Sequence, residues 1–237
     1  MKVLSVDSST ETASVALIED DKLLGEINFN YKKQHSVLLL SMIDNLLNSL
    51  SLDIDEIDGF VISKGPGSFT GLRIGMATIK GMSLASNKPY ISLSSLDALA
   101  YNMYGFSGIV CSMMDALRNN VYTSLYQYED GSLVQILDYS AISVDELIDK
   151  LNSYNKRVCF IGDAINLHKD ILEKSIPNCL FAPSHLNYVR AASLGELGMK
   201  KLKLGEKDDI NNSAPIYLRK SQAEREYEKK QVSLNHE

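Results

Sequence analysis

Hydrophobic positions along the chain first alternate and then switch to a helical period. Residues 2–7, 12–18 and 23–29 alternate or run apolar, broken by Ser8-Ser9-Thr10 and by Glu19-Asp20-Asp21, the pattern of an antiparallel meander. Over residues 36–50, Leu39, Leu40, Met42, Ile43, Leu46, Leu47 and Leu50 form a stripe nearly half a helix wide. A fourth strand, 57–63, leads through Gly65, Pro66 and Gly67 into a second helix that Ser68 caps and Pro89 stops. On this helix Leu72, Gly75, Met76 and Ile79 fall on one side, and Ile74, Ala77, Thr78, Gly81, Leu84 and Ala85 on the other. Neither side is polar. Such a helix is either sandwiched within its own domain or covered by another chain.

A short strand at 90–93 follows, and Ser94 with Asp97 resembles a capping box for a helix over 95–104. The pattern then begins again. Residues 109–114 are apolar, Asp115 follows, 121–128 alternates, Asp130-Gly131 turns, and 133–139 alternates. Strand, aspartate, strand, turn, strand is the order already met in 2–29, and it predicts two lobes built on one plan. Helices are expected at 143–151, 166–174 and 188–204, with strands at 158–161 and 178–181. The tail over 222–230 is strongly charged and reads as a solvated helix or disorder.

Composition narrows the classes. The chain has 237 residues, 45% of them hydrophobic, enough for a substantial core in one large domain or two lobes. A net charge of -6 and a pI near 5.3 argue against tight autonomous binding to nucleic acid, leaving room only for a local basic patch. No signal peptide or membrane span is expected. Cys111, Cys159 and Cys179 read as reduced core thiols, and the four histidines show no pair at helical ligand spacing.

The glycine loop before the second helix has two readings, a phosphate site at a helix N-terminus or only a tight turn. Gly71 is followed by Leu72 and Arg73 where a Walker A loop needs Lys and Ser or Thr. It also falls one residue late for a dinucleotide fingerprint. Ser68 is not in a nucleophile elbow, which needs Gly-x-Ser-x-Gly. Asp7 and Asp115 end apolar strands, where an aspartate either serves phosphate chemistry or begins a turn. Arg118, Tyr122 and Tyr217 stand as surface residues with packed stems or as parts of a site.

Asp7-Ser8-Ser9-Thr10, His35-Ser36, the block from Lys64 to Gly75, Ser94 to Leu99 and Pro215 to Arg219 together resemble the TsaB family, also called YeaZ and grouped with M22 glycoproteases. The likeness runs over essentially the full length. It implies an α/β chain with the two-lobed actin-like ATPase fold (ASKHA, ribonuclease H-like). The expected division is 1–105 with partner-binding helices, 106–220 as second lobe, and 221–237 as charged tail. It further implies a non-catalytic cytoplasmic subunit that pairs with the catalytic protein TsaD in threonylcarbamoyl modification of tRNA adenosine beside the anticodon and helps recruit the ATPase TsaE. The chain would form a homodimer when alone, meet tRNA only through the complex, and bind no membrane.

Leu39 stands where TsaD-like enzymes carry the second histidine of a metal pair begun by His35, and Ser9 stands in place of a phosphate-motif glycine. Both departures argue against independent catalysis by a stand-alone M22-type peptidase or ATPase. No catalytic or metal-ligating residue is therefore assigned. Leu39, Met42, Ile43, Leu46, Leu72, Met76 and Ile79 are the expected partner-binding residues. Asp7, Gly67, Ser68 and Asp115 are the candidates for lying near a nucleotide. No cofactor is expected to bind the chain tightly, and ATP or ADP would enter only in the assembled complex.

Overall fold

The computed structural model describes residues 1–30 and 35–219, with residues 35–37 described by their backbone alone. Three strands, β1 (Lys2–Asp7), β2 (Thr12–Glu19) and β3 (Lys22–Asn30), pair antiparallel, with Lys2 opposite Glu19 and Thr12 opposite Asn30. On the other side of β1, β4 (Gly59–Ser63) and β5 (Tyr90–Leu93) add in parallel, giving the order β3-β2-β1-β4-β5. Both added strands are buried along their length, as strands covered on two faces must be.

The second half repeats this plan. β6 (Ile109–Asp115), β7 (Asn120–Glu129) and β8 (Ser132–Ser143) form the meander, and β9 (Val158–Ile161) and β10 (Leu180–Phe181) add in parallel. The order β8-β7-β6-β9-β10 is that of the first sheet.

Helices α1 (His35–Leu50) and α2 (Phe69–Ser86) lie side by side on one face of the first sheet. The seven residues expected to grip a partner are the inner face of this pair. Leu39, Met42, Ile43, Leu46, Leu72, Met76 and Ile79 are all buried within the chain, none more than 5% exposed. All but Leu72 pack in one cluster with Leu4, Val6, Phe60 and Ile62 of the sheet. Burial of each large side chain contributes about 1.5–3 kcal/mol, so this surface is spent on the chain's own core. The stripe is wide because the sheet beneath it, carrying Val15 and Leu17 on β2 as well, is wide.

Helices α4 (Val144–Tyr154) and α5 (Ile165–Ser175) cover the second sheet from outside, over Cys111, Met113, Leu125 and Phe160. Between the sheets lie α3 (Ser95–Tyr101) and α6 (Ala191–Lys203), packed with Val61, Val110, Met114, Tyr126 and Ile161 in the central cluster. Helix α6 crosses back from the second half of the chain and packs on β1, β2, β4 and β5. Two glycines permit the close contact: a Cβ at Gly198 would stand 2.3 Å from Val61 and one at Gly195 2.6 Å from Ile18. The segment after α6 stays with the first lobe. Asp208 N–H donates to Tyr90 O at 2.9 Å, and Lys80 Nζ donates to the carbonyls of Ile210 and Ser213, both at 2.7 Å. The expectations for the tail and for the His35 side chain lie outside the described residues.

Candidate functional site

The glycine loop sits at the carboxyl end of β4, beside the turn that follows β1. Ser68 Oγ accepts from Gly71 N–H at 3.3 Å and caps α2, as its place before a helical run predicts. The glycines face the chain itself. Ser68 N–H donates to Ser9 O at 2.7 Å, and Ser8 Oγ donates to Gly71 O at 2.9 Å. A Cβ at Gly67 would stand 2.1 Å from Ser9 O, one at Gly71 2.0 Å from Ser8 O, and one at Gly75 2.3 Å from Ser8 Oγ. These glycines let a helix start lie directly on the Ser8-Ser9 turn. The backbone of one loop packs directly against the other.

Asp7, at the end of β1, is wholly buried. Burial pushes its carboxyl up to about 6, while the Ser63 and Ser9 hydroxyls and the Ser9 N–H pull it partly back. Only the Ser9 N–H makes a hydrogen bond of ordinary geometry, 3.3 Å to Oδ1. Among the described residues, the buried side-chain oxygens without a partner are Asp7 Oδ2, Ser9 Oγ, Ser63 Oγ and Ser95 Oγ. Asp7, Ser9 and Ser63 sit in a turn or at strand ends at the head of the first sheet, and Ser95 opens α3 just after β5.

Asp115 occupies the matching place at the end of β6. Its N–H donates to Asp163 Oδ1 at 3.0 Å, and its own Oδ1 accepts from Leu117 N–H at 2.8 Å. Leu117, Arg118 and Asn119 then run through three consecutive left-handed conformations, with φ of 62°, 57° and 60°. The aspartate thus begins a turn here, and the carbonyls of that turn are held from outside by Arg219, whose Nη1 donates to Ala116 O and to Leu117 O.

Arg219 belongs to a strap that joins the two heads. Ile216 N–H donates to Lys64 O at 2.7 Å beside the glycine loop. Tyr217 stacks on Phe69, ring centroids 4.5 Å apart and planes 3° from parallel, and its hydroxyl accepts from Arg73 Nε at 3.0 Å. The sequence pattern singles out Tyr217 but places neither it nor Arg219, since nothing in a hydrophobic period says which distant loop a strap will cross. The structure thus brings Gly67 and Ser68 against the turn after Asp7, and links them to the Asp115 turn through the strap. Cys111 and Cys159 are unreactive core thiols, pushed by burial up to about 12 and about 11. No group of three or more His, Cys, Asp or Glu among the described residues is placed to hold a metal ion. None of the described helices is long and apolar enough to cross a membrane.

Two sheets of one strand order, each with an aspartate ending its first strand, define the actin-like ATPase fold. A Pseudomonas aeruginosa structure described as similar to peptidase YeaZ superposes with a TM-score of 0.80 at 24% identity, over 92% of this chain and 99% of that one. A family model described as TsaD, tRNA N6-adenosine threonylcarbamoyltransferase, matches residues 22–227. The Bacillus subtilis tRNA threonylcarbamoyladenosine biosynthesis protein TsaB is 32% identical over 225 residues, 94% of this chain and 96% of that protein. A tRNA N6-adenosine threonylcarbamoyltransferase from Kosmotoga olearia is 30% identical over 146 residues, 55% of this chain and 44% of that enzyme. The chain belongs to the TsaB family of tRNA threonylcarbamoyladenosine biosynthesis proteins.

Proposed function

We propose that the chain is a non-catalytic subunit in the synthesis of threonylcarbamoyladenosine in tRNA, and that it docks on the catalytic threonylcarbamoyltransferase, TsaD, through the outer face of α2. The observation that carries this reading is the character of that face. Ala77, Gly81, Leu84 and Ala85 are exposed, Leu84 by 70%, and Ile74 and Thr78 are half-buried beside them. Leu40 of α1 adds a further apolar side chain, 56% exposed. The small residues at 77, 81 and 85 recur every fourth position, so a partner helix could approach the backbone closely. A second copy of the chain would use the same face when the transferase is absent.

Several features support a role without chemistry of its own. The start of α2 is packed on the Ser8-Ser9 turn, Cys111 and Cys159 are core residues, and Leu39 is packed in the core. Any ATP or ADP belongs to the assembled complex, which also engages the ATPase TsaE and the tRNA in the cytoplasm. The test is the pair Ala77→Glu and Leu84→Glu, each on exposed positions. Both variants should unfold at the wild-type temperature and fail to form a complex with the transferase, as read by complex mass. An unchanged complex mass would overturn the docking face, and ATP or peptide turnover by the isolated chain would overturn the non-catalytic role.

A further inference from the structure

Three of the chain's six arginines lie along the strap and the turn it holds, although the chain is acidic overall. Arg73 at the start of α2 reaches Tyr217, Arg219 grips the turn at Ala116 and Leu117, and Arg118 stands exposed at the tip of that turn. Beside Arg73 lies the Phe69 and Tyr217 stack, with Tyr217 40% exposed and Arg73 5.7 Å from its ring centre. Leu117, 62% exposed, extends the apolar surface toward Arg118. The two carboxylates at this turn, Asp115 within it and Asp163 from the loop after β9, each accept a backbone N–H, which offsets part of their charge. The surface spans both heads of the molecule, on a side set by the glycine loop and the strap, apart from the outer face of α2 beyond Ala77.

Guanidinium groups match phosphate oxygens in their fork geometry, and exposed aromatic rings stack on unpaired bases. A single-stranded nucleic acid uses both at once, phosphates on the arginines and a base against the tyrosine. A protein partner would use the aromatic rings equally well, but three cations gathered in a chain of net charge -6 favour a polyanion. We infer that this arginine and aromatic surface contacts RNA directly, taking an unpaired loop of the tRNA substrate. The inference rests on the proposed role in tRNA modification and adds to it that this subunit touches the substrate.

The probe is a labelled anticodon stem-loop RNA of about 17 nucleotides, titrated with the full chain alone and with its transferase complex between about 50 and 200 mM salt and followed by anisotropy. Binding should weaken steeply as salt rises. Arg118→Ala should reduce the salt slope by about one, and Arg118→Glu and Tyr217→Ala should each weaken binding about tenfold or more. Lys174→Glu, at the far end of α5, should leave binding unchanged. Arg118→Glu should keep the wild-type unfolding temperature, because Arg118 is exposed. No binding by either form at about 100 µM, or equal binding by wild type and Arg118→Glu, overturns the inference. So does loss of transferase binding in Arg118→Glu with RNA binding intact, which would make the surface a protein interface. Absence of RNA binding beside an intact transferase complex removes this inference alone and leaves the proposed function standing.

Discussion

Replacing Asp7 by Asn separates burial from charge. The folded carboxyl titrates at about 6 against 3.8 for the free group, so the folded chain holds the proton more tightly than the unfolded one. Stability from this group is fully present below pH 4 and is lost as the pH rises through 6. The loss amounts to about 3 kcal/mol, from about 1.4 kcal/mol per pH unit. Asp7→Asn should therefore be more stable than wild type in urea at pH 8 and equal to it near pH 4. The same difference at both pH values would show that the carboxylate is fully compensated when folded. A second residue, Asp97, accepts hydrogen bonds from the hydroxyls of Tyr126 at 2.7 Å and Tyr139 at 2.9 Å. Asp97→Ala should cost about 2–4 kcal/mol by stranding these hydroxyls. Adding Tyr126→Phe should recover part of the loss, and full additivity of the two changes would refute the coupling. From sequence, Asp97 reads as a helix cap. Its actual partners lie on β7 and β8, too far along the chain for a local pattern to reveal.

At the scale of elements, Gly71 and Gly81 of α2 make opposite predictions. A Cβ at Gly71 meets Ser8 O at 2.0 Å, whereas one at Gly81 meets nothing within 4 Å. Gly71→Ala should destabilise by on the order of 3 kcal/mol, because backbone must move. Gly81→Ala should stabilise by about 0.5–1 kcal/mol through helix propensity. Thermal unfolding of both variants checks the pair, and a stable Gly71→Ala would mean that the loop and the Ser8-Ser9 turn can separate cheaply. Elements themselves were legible because period and punctuation agree in this chain. Ser68, Ser94 and Ser143 each cap the helix that follows, and Asp130-Gly131 turns between β7 and β8. Ends were less legible. Helix α3 stops at Tyr101, β8 runs on to Ser143, and α6 begins at Ala191, where packing, not pattern, decides. The faces of α1 and α2 are ambiguous in the sequence for one reason. A helix with two apolar sides does not announce which side its own sheet will take, and the inner one proved to be the side with Leu39, Leu46, Met76 and Ile79.

At the scale of the molecule, the duplicated strand order was legible from the repeat of strand, aspartate and hairpin, and the return of the chain was not. Helix α6 lies between the sheets and closes the face of the first one that α1 and α2 leave bare. During translation this has a direct effect. Chains are made from the amino end, and an early lobe ordinarily folds while later residues are still being added. Here the first lobe lacks one wall until residue 203 has cleared the ribosome, since Gly195 and Gly198 must seat against Ile18 and Val61. The half begun first is therefore completed last. A nascent chain halted after the second sheet would hold one finished lobe, the carboxyl-proximal one, and beside it an open sheet waiting for its lid.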